Sequence, residues 1–331
     1  EHEETGPDER FTAHRHTVEE ARRSIGRVVV GHERVVEDLL TCLFCGGHAL
    51  IEGVPGLGKT QLIRTLGTVC GLTTRRIQFT PDLMPADIIG TNTLFQDERG
   101  VQEIRFQEGP LFTQVLLADE VNRAAPKTQS ALLEAMQEQQ VTVAGRTYPL
   151  TLPFIVLATQ NPLELEGTFP LPEAQLDRFF FKLHVDYPSP TELREIVART
   201  TGATEPRTDT VLSADSIEAI GTFIRRLPVA EEVVCYAVEL VYATHPDRDE
   251  SPEAVRTYVR YGAGPRGAQS LILAARFYAL LHGRMHVAPE DVRRAIRPSL
   301  RHRVVLNFRG EAEGISEEEI LAAVEEETST P

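Results

Sequence analysis

Gly53 to Thr60 reads Gly-Val-Pro-Gly-Leu-Gly-Lys-Thr, and the spacing is that of a phosphate cradle: four residues between two glycines, then Lys59 and Thr60. The chemistry follows from the residue types. Glycines let backbone N–H groups turn inward onto an anion, a lysine reaches the β- and γ-phosphates of a nucleotide, and the hydroxyl of Thr60 can ligate Mg²⁺. A second group is Asp119-Glu120, which follows the apolar run Val115-Leu116-Leu117-Ala118. An acid there can hold Mg²⁺ opposite Thr60, and the next one can activate a water. The pair alone suits a helix-start acidic cap equally well; the phosphate cradle decides for chemistry. Asn161, at the end of the apolar run Phe154–Ala158 and the polar Thr159-Gln160, can position that water.

These groups need a scaffold that brings the ends of several strands together. The apolar run Ala49-Leu50-Ile51 leads into the cradle, and a helix is expected from about Lys59 to Val69, with its positive dipole end on the phosphates. Further strands are expected at Arg75–Phe79, Val115–Ala118, Phe154–Ala158 and Phe180–Val185, the second and third of them buried, alternating with helices such as Lys127–Gln137. That alternation predicts a parallel, doubly wound sheet, whose ligands lie at the carboxyl ends of the strands. Two β-hairpins are expected as insertions, Thr91–Phe95 with Gln102–Phe106, and Gln140–Val143 with Arg146–Leu152. Beyond Pro188-Ser189-Pro190 only helical periodicity remains. The expected organisation is therefore a flexible segment over 1–16, an α/β nucleotide-binding unit over 17–187 and an all-α lid over 188–331. Thr17 and Glu20 have the spacing of a capping box and predict a helix start at Thr17.

Composition bounds the remaining possibilities. With 331 residues, 41% apolar and 25% charged, the chain can bury a substantial core. No apolar run reaches the ~18 residues of a membrane span, and the acidic N-terminal stretch is unlike a signal peptide, so a cytoplasmic location is expected. The net charge of −15 argues against a general nucleic-acid binder. Lys59 is one of only three lysines, with Lys127 and Lys182. Cys42 and Cys45 have metal-site spacing, but they sit in an apolar helical run with no second pair, and read as core thiols. His282 and His286 are four apart, with Gly283 expected to end the helix between them.

The stretch Ala118-Asp119-Glu120-Val121-Asn122-Arg123-Ala124-Ala125-Pro126-Lys127-Thr128-Gln129-Ser130-Ala131-Leu132-Leu133-Glu134-Ala135-Met136 resembles the signature of the MoxR family of AAA+ ATPases. Ala158-Thr159-Gln160-Asn161-Pro162, the run Glu166 to Phe179 and Gly264-Pro265-Arg266 are similar to the same family, so the resemblance spans about 17–325. It implies a P-loop AAA+ fold with a helical lid, and hydrolysis of ATP with Mg²⁺. It assigns Gly53, Pro55, Gly56, Leu57, Gly58, Lys59, Thr60 and Gln61 to the nucleotide loop and Asp119 with Glu120 to Walker B. Asn161 becomes sensor 1, Arg178 an arginine finger reaching a neighbouring subunit's nucleotide, and Arg266 a sensor-2 arginine closing the site from the lid. Val30-Gly31 falls where related ATPases line the adenine. Arg123 and Lys127 could also face a neighbour.

A finger acting in trans implies a hexameric ring. The resemblance further implies a chaperone-like motor that remodels, activates or matures partner proteins, with a von Willebrand factor A domain on a separate chain. A magnesium-chelatase-like motor subunit shares the same hairpins, and a nucleic-acid translocase is disfavoured by charge. The first hairpin tip, Gln96-Asp97-Glu98-Arg99-Gly100, lacks the aromatic loop of threading unfoldases, so surface engagement of a partner is expected.

Overall fold

The computed structural model describes residues 6–54, 56–96, 102–162, 167–202 and 206–331. The chain opens with α1 (Pro7–Val28) and α2 (Glu33–Cys45), then β1 (Ala49–Glu52), α3 (Lys59–Val69), β2 (Thr74–Gln78) and α4 (Pro85–Ile89). The first hairpin, β3 (Gly90–Gln96) and β4 (Gln102–Glu108), precedes β5 (Val115–Asp119) and α5 (Pro126–Glu138). The second, β6 (Gln140–Val143) and β7 (Arg146–Pro149), precedes β8 (Ile155–Gln160), the short α6 (Glu173–Leu176) and β9 (Phe181–His184). The tip of the first hairpin, residues 97–101, lies outside the described residues, as do Pro55 and Glu166.

Strands β2, β5, β8, β1 and β9 form one sheet in that order, and all its pairings are parallel. β8 and β9 flank β1 on opposite sides, which opens a crevice at its carboxyl end. Along the strands alternate residues feed two cores. Ala49, Ile51, Leu117, Leu157 and Phe181 belong to one. Leu50, Leu116, Ala118 and Val156 belong to the other. Burial on both faces explains why these strands read as unbroken apolar runs.

The lid comprises α7 (Pro190–Thr200), α8 (Ala214–Arg225), α9 (Glu231–Tyr242), α10 (Glu253–Tyr258), α11 (Pro265–Leu281), α12 (Pro289–Leu300), α13 (Phe308–Glu313) and α14 (Glu317–Glu327). Ser189, Ser213 and Ser316 each cap a helix start through capping boxes, which fixes where α7, α8 and α14 begin. Among its described residues the lid is helical apart from one small antiparallel ribbon, β10 (Val259–Tyr261) with β11 (Val305–Leu306), which the all-helical reading of residues 191–331 missed.

Among the described residues the lid has no separate core. One apolar cluster runs from Ile25 of α1 and Leu39 of α2, through Ile63 and Phe181, to Leu271, Ile296 and Val324 of the lid. Helix α2 is its axis, with every residue from Val35 to Cys45 buried. Phe44 stacks on Phe277 of α11 with ring centroids 5.6 Å apart. Cys42, Cys45 and Cys70 are buried in this cluster, and burial pushes the Cys45 and Cys70 thiols up to about 12.

The N-terminal expectation needs correction. Residues 7–16 form the first turns of α1, and Phe11 is buried, its ring centroid 6.3 Å from that of Phe223 in the lid. Thr17 caps nothing: it lies mid-helix, and its hydroxyl donates to Ala13 O at 2.9 Å. The capping-box spacing misled because an i−4 bond satisfies the same hydroxyl within the helix.

Candidate nucleotide site

β1 ends at Glu52, and Gly53 follows in a position where only hydrogen fits. A Cβ there would stand 2.8 Å from Val185 O. Gly56 and Gly58 take φ of 85° and 77°, the left-handed region that favours glycine, and a Cβ on either would meet nothing within 4 Å. The turn leads into α3, whose start at Lys59 leaves its first N–H groups without partners inside the helix, a set of donors suited to an anion. Lys59 Nζ donates to Gly53 O at 2.6 Å, folded back against its own loop. Burial pulls the Lys59 ammonium below the usual lysine range, while Asp119, Glu120 and Glu52 oppose the change.

The two acids meet at one hydroxyl. Thr159 Oγ1, buried at the end of β8, donates to Asp119 Oδ1 at 2.6 Å and accepts from Glu120 N at 2.9 Å. Asp119 Oδ2 accepts from Arg76 Nη2 at 2.7 Å. Glu120 takes a φ of 56°, and its Oε2 accepts from Gln78 Nε2 at 2.7 Å and Arg123 Nη1 at 2.9 Å. Asn161 is buried one residue past β8, and β8 pairs Gln160 with Glu52, which brings Asn161 level with the start of the loop. Lys182 Nζ and His184 Nε2 each lie 3.1 Å from Glu52 Oε2. Burial pushes the Glu52 carboxyl up, and its hydrogen bonds and charge pairing with these two residues outweigh that and hold it at about 2.

Beside the loop lies a cavity of about 400 Å³. Val28, Val29, Val30 and His32 wall it from the α1–α2 turn, and Gly56, Leu57, Gly58, Lys59 and Gln61 form its floor. Tyr187, Leu193, Ile196 and Thr200 close it from α7 and the segment before it. Gly31 is not among its lining residues; it has a φ of 70°, and a Cβ on it would stand 2.6 Å from Glu192 Oε1. Gly53, Thr60 and Asp119 are likewise not among the lining residues.

Arg178 and Arg266 are elsewhere. Both line a second cavity, of about 290 Å³, with Gly46, Gly47, His48, Met136 and Gln139. Those residues precede β1 or end α5, so the cavity lies at the amino edge of the parallel sheet. The loop is at its carboxyl edge, ~13 Å away along the four residues of β1 alone. Arg178 Nη1 donates to Leu133 O at 3.0 Å. Arg266 Nη1 lies 3.5 Å from Asp177 Oδ2. The expectation that Arg266 closes its own subunit's loop is therefore corrected. α11 packs on α2 and starts at the far end of the sheet, which carries Arg266 to the side of Arg178.

The sequence reading did not single out Thr159, Arg76, Gln78 or the α7 residues. Some signals were present. Arg76 and Gln78 alternate on a strand that ends beside the acids, and Leu193 and Ile196 are helically spaced apolar residues after a capping box. Nothing in the sequence tied them to β5 or to the loop.

A family model for the ATPase family associated with various cellular activities (AAA) matches residues 48–181, and one for the AAA lid domain matches 252–324. A crystal structure of a candidate ATPase from Cytophaga hutchinsonii superposes with a TM-score of 0.90 at 40% identity, covering 97% of each chain. Uncharacterized protein YeaC of Bacillus subtilis is 40% identical over 93% of this chain and 92% of its own length. Chaperone MoxR1 of Mycobacterium tuberculosis is 44% identical over 98% of this chain and 85% of its own. The chain belongs to the MoxR family of AAA+ ATPases. Its relatives include Protein MoxR of Paracoccus denitrificans, 31% identical over 87% of this chain.

Family membership accounts for the fold, and the local geometry fits the ligands that AAA ATPases take. The start of α3 after the turn at Gly56 and Gly58 presents N–H donors suited to phosphates, and the adjoining cavity has largely apolar walls suited to a base. For Mg²⁺, Asp119 offers a carboxylate at the end of β5, and a hard ion that keeps waters and phosphate oxygens takes only one or two such protein ligands. Among the described residues no helix is long and apolar enough to cross a membrane.

Proposed function

We propose that this chain hydrolyses ATP at a site shared between neighbouring subunits of a ring, and uses the cycle to remodel partner proteins. What supports this is the separation within one chain of the loop with its acids from two arginines. Lys59, Asp119 and Glu120 gather at the carboxyl edge of the sheet, while Arg178 and Arg266 gather at the amino edge. A subunit cannot bring its own arginines to its own loop without dismantling the sheet between them. A neighbour can, and the natural closed assembly of such head-to-tail contacts is a ring; we take it to be a hexamer.

In this reading the 400 Å³ cavity takes the adenine against Val30, with Gln61 beside it, and Gly31 shapes the turn. The loop from Gly53 to Thr60, including Pro55, cradles the phosphates, and Lys59 turns from Gly53 O onto them. Glu120 accepts the proton of the attacking water, and Asn161 orients that water. Mg²⁺ held by Thr60 and Asp119 would neutralise charge on the phosphate oxygens. Arg178 and Arg266 of the next subunit stabilise the negative charge of the transferring phosphoryl group. Arg123 already pairs with Glu120, so we assign it to holding that acid and not to a neighbour.

The work done is proposed to be chaperone-like, in the cytoplasm, on a client protein recruited with a separate von Willebrand factor A domain protein. The first hairpin supports engagement by a surface, since it presents Leu94, Phe95 and Ile104 to solvent. Turnover per subunit should rise steeply with protein concentration as rings form; turnover independent of concentration at any dilution would refute the shared site. A Glu120→Gln variant, loaded with ATP, should retain client protein in a pull-down; recovery of nucleic acid alone would refute the remodelling role.

A further inference from the structure

Arg303, just after α12, is almost wholly buried, with 3% of its side chain exposed. A buried guanidinium is costly unless its donors are met. All five are met here. Nε donates to Asp177 Oδ1 at 2.8 Å, and Nη2 donates to Phe179 O at 2.8 Å and Asp177 O at 3.3 Å. Nη1 donates to Phe180 O at 3.2 Å and also to Ser299 O. Four of these five bonds therefore land on residues 177, 179 and 180, on either side of Arg178. His302 adds another, with Nε2 donating to Phe179 O at 3.0 Å. Asp177 also faces Arg266, whose Nη1 lies 3.5 Å from Oδ2. A Cβ on Gly267, next to Arg266, would sit 3.5 Å from Arg303 Cδ, so the start of α11 packs on the same side chain.

We infer that Arg303 is a positioning residue for hydrolysis in the adjacent subunit. It clamps the backbone on both sides of Arg178 and, through Asp177 and the Gly267 contact, holds the start of α11 with Arg266 beside the same block. Both arginines then approach a neighbour's nucleotide from one block joined to the lid. This rests on the reading that Arg178 acts in trans. A fork of five donors can hold four carbonyls and a carboxylate oxygen at once, and an ammonium cannot. Misplacing a catalytic group by about 1 Å costs about 10² in rate. Arg303 touches neither the loop nor the base cavity, so the loss belongs in turnover and not in affinity.

The test measures ATP turnover and nucleotide affinity for Arg303→Lys and for Asp177→Asn, the second serving if the first does not fold. Each should lower kcat, the first by about 10²-fold, with the KM for ATP within about twofold. Each is then mixed with Lys59→Ala subunits, whose loop is dead but whose Arg178 block is intact. In mixed rings an intact loop meets an intact block, so turnover should exceed that of either parent. A parallel mixture of Arg178→Ala with Lys59→Ala reports on the underlying reading. If that mixture recovers and the Arg303→Lys or Asp177→Asn mixture does not, or if KM rises with unchanged kcat, the positioning role is overturned and the shared site stands. If the Arg178→Ala mixture stays inactive as well, action in trans itself is overturned.

Discussion

Arg76 Nη2 stands 2.7 Å from Asp119 Oδ2, so the carboxylate proposed to hold Mg²⁺ is already paired with a cation from the neighbouring strand. Arg76 is half exposed, and such a pair contributes only about 0.2–1 kcal/mol. That is strong enough to hold Asp119 in place and weak enough to yield to a divalent ion. Replacing Arg76 with Met should therefore lower the Mg²⁺ concentration needed for half-maximal ATPase activity by about two- to fivefold. A raised requirement would instead make Arg76 part of the phosphate-binding apparatus.

The hydroxyl of Thr159 is shared between the two acids, and Thr159→Val keeps the shape while removing it. Glu120 N–H would lose its acceptor and Asp119 a short donor. We expect a loss of about 1–3 kcal/mol in stability to chemical denaturation. We also expect kcat to fall while nucleotide affinity holds. An unchanged kcat would mean that the acids are positioned by Arg76, Gln78 and Arg123 alone.

Arg178→Ala should leave ATP binding near its original strength and reduce hydrolysis by about 10³–10⁵-fold, the value of such an arginine elsewhere. Calorimetry with a non-hydrolysable ATP analogue, beside a phosphate-release assay, separates the two. Wild-type turnover would remove Arg178 from the chemistry.

His48 offers a pH test at the amino edge. Its Nδ1 accepts from Val156 N at 3.0 Å, and its Nε2 faces Met136 O at 3.1 Å, so the ring is neutral with the proton on Nε2. Burial holds it down to about 4, against the hydrogen bond to Met136 O. The unfolded chain binds this proton near pH 6.5 and the fold does not, so stability from this group is complete above 6.5 and is lost as pH falls towards 4. Over that window the loss is about 3 kcal/mol. The imidazole resonances should show the Nε2–H tautomer at pH 5; a ring titrating near 6.5 would contradict it.

Much of this site was legible because its parts are contiguous in the chain. Gly53 to Thr60 announces itself by residue type after an apolar run, Asp119-Glu120 becomes readable once that loop is recognised, and the alternation of such runs with helices gives the parallel sheet. Thr159, Arg76 and Gln78 were not legible, because their roles come from the register of β2, β5 and β8, which no single segment encodes. Arg266 was legible as a residue type but not as a place. Which end of the sheet it reaches depends on how α11 lies on α2, a matter of side-chain packing between segments more than 200 residues apart. The start of α1 was missed because its apolar anchor, Phe11, packs on Phe223, more than 200 residues away in the lid.

The unbroken apolar cluster through α2 has a consequence for anyone taking this protein apart. The chain changes character near residue 188, which invites a cut there, yet the cut would strip Leu39, Leu43 and Phe44 of cover and leave Leu271 and Phe277 bare on the other fragment. Neither half would be a free-standing module. The two should melt together in one calorimetric transition, and chimaeras with relatives should respect the α2–α11 seam more than the linear boundary between the segments.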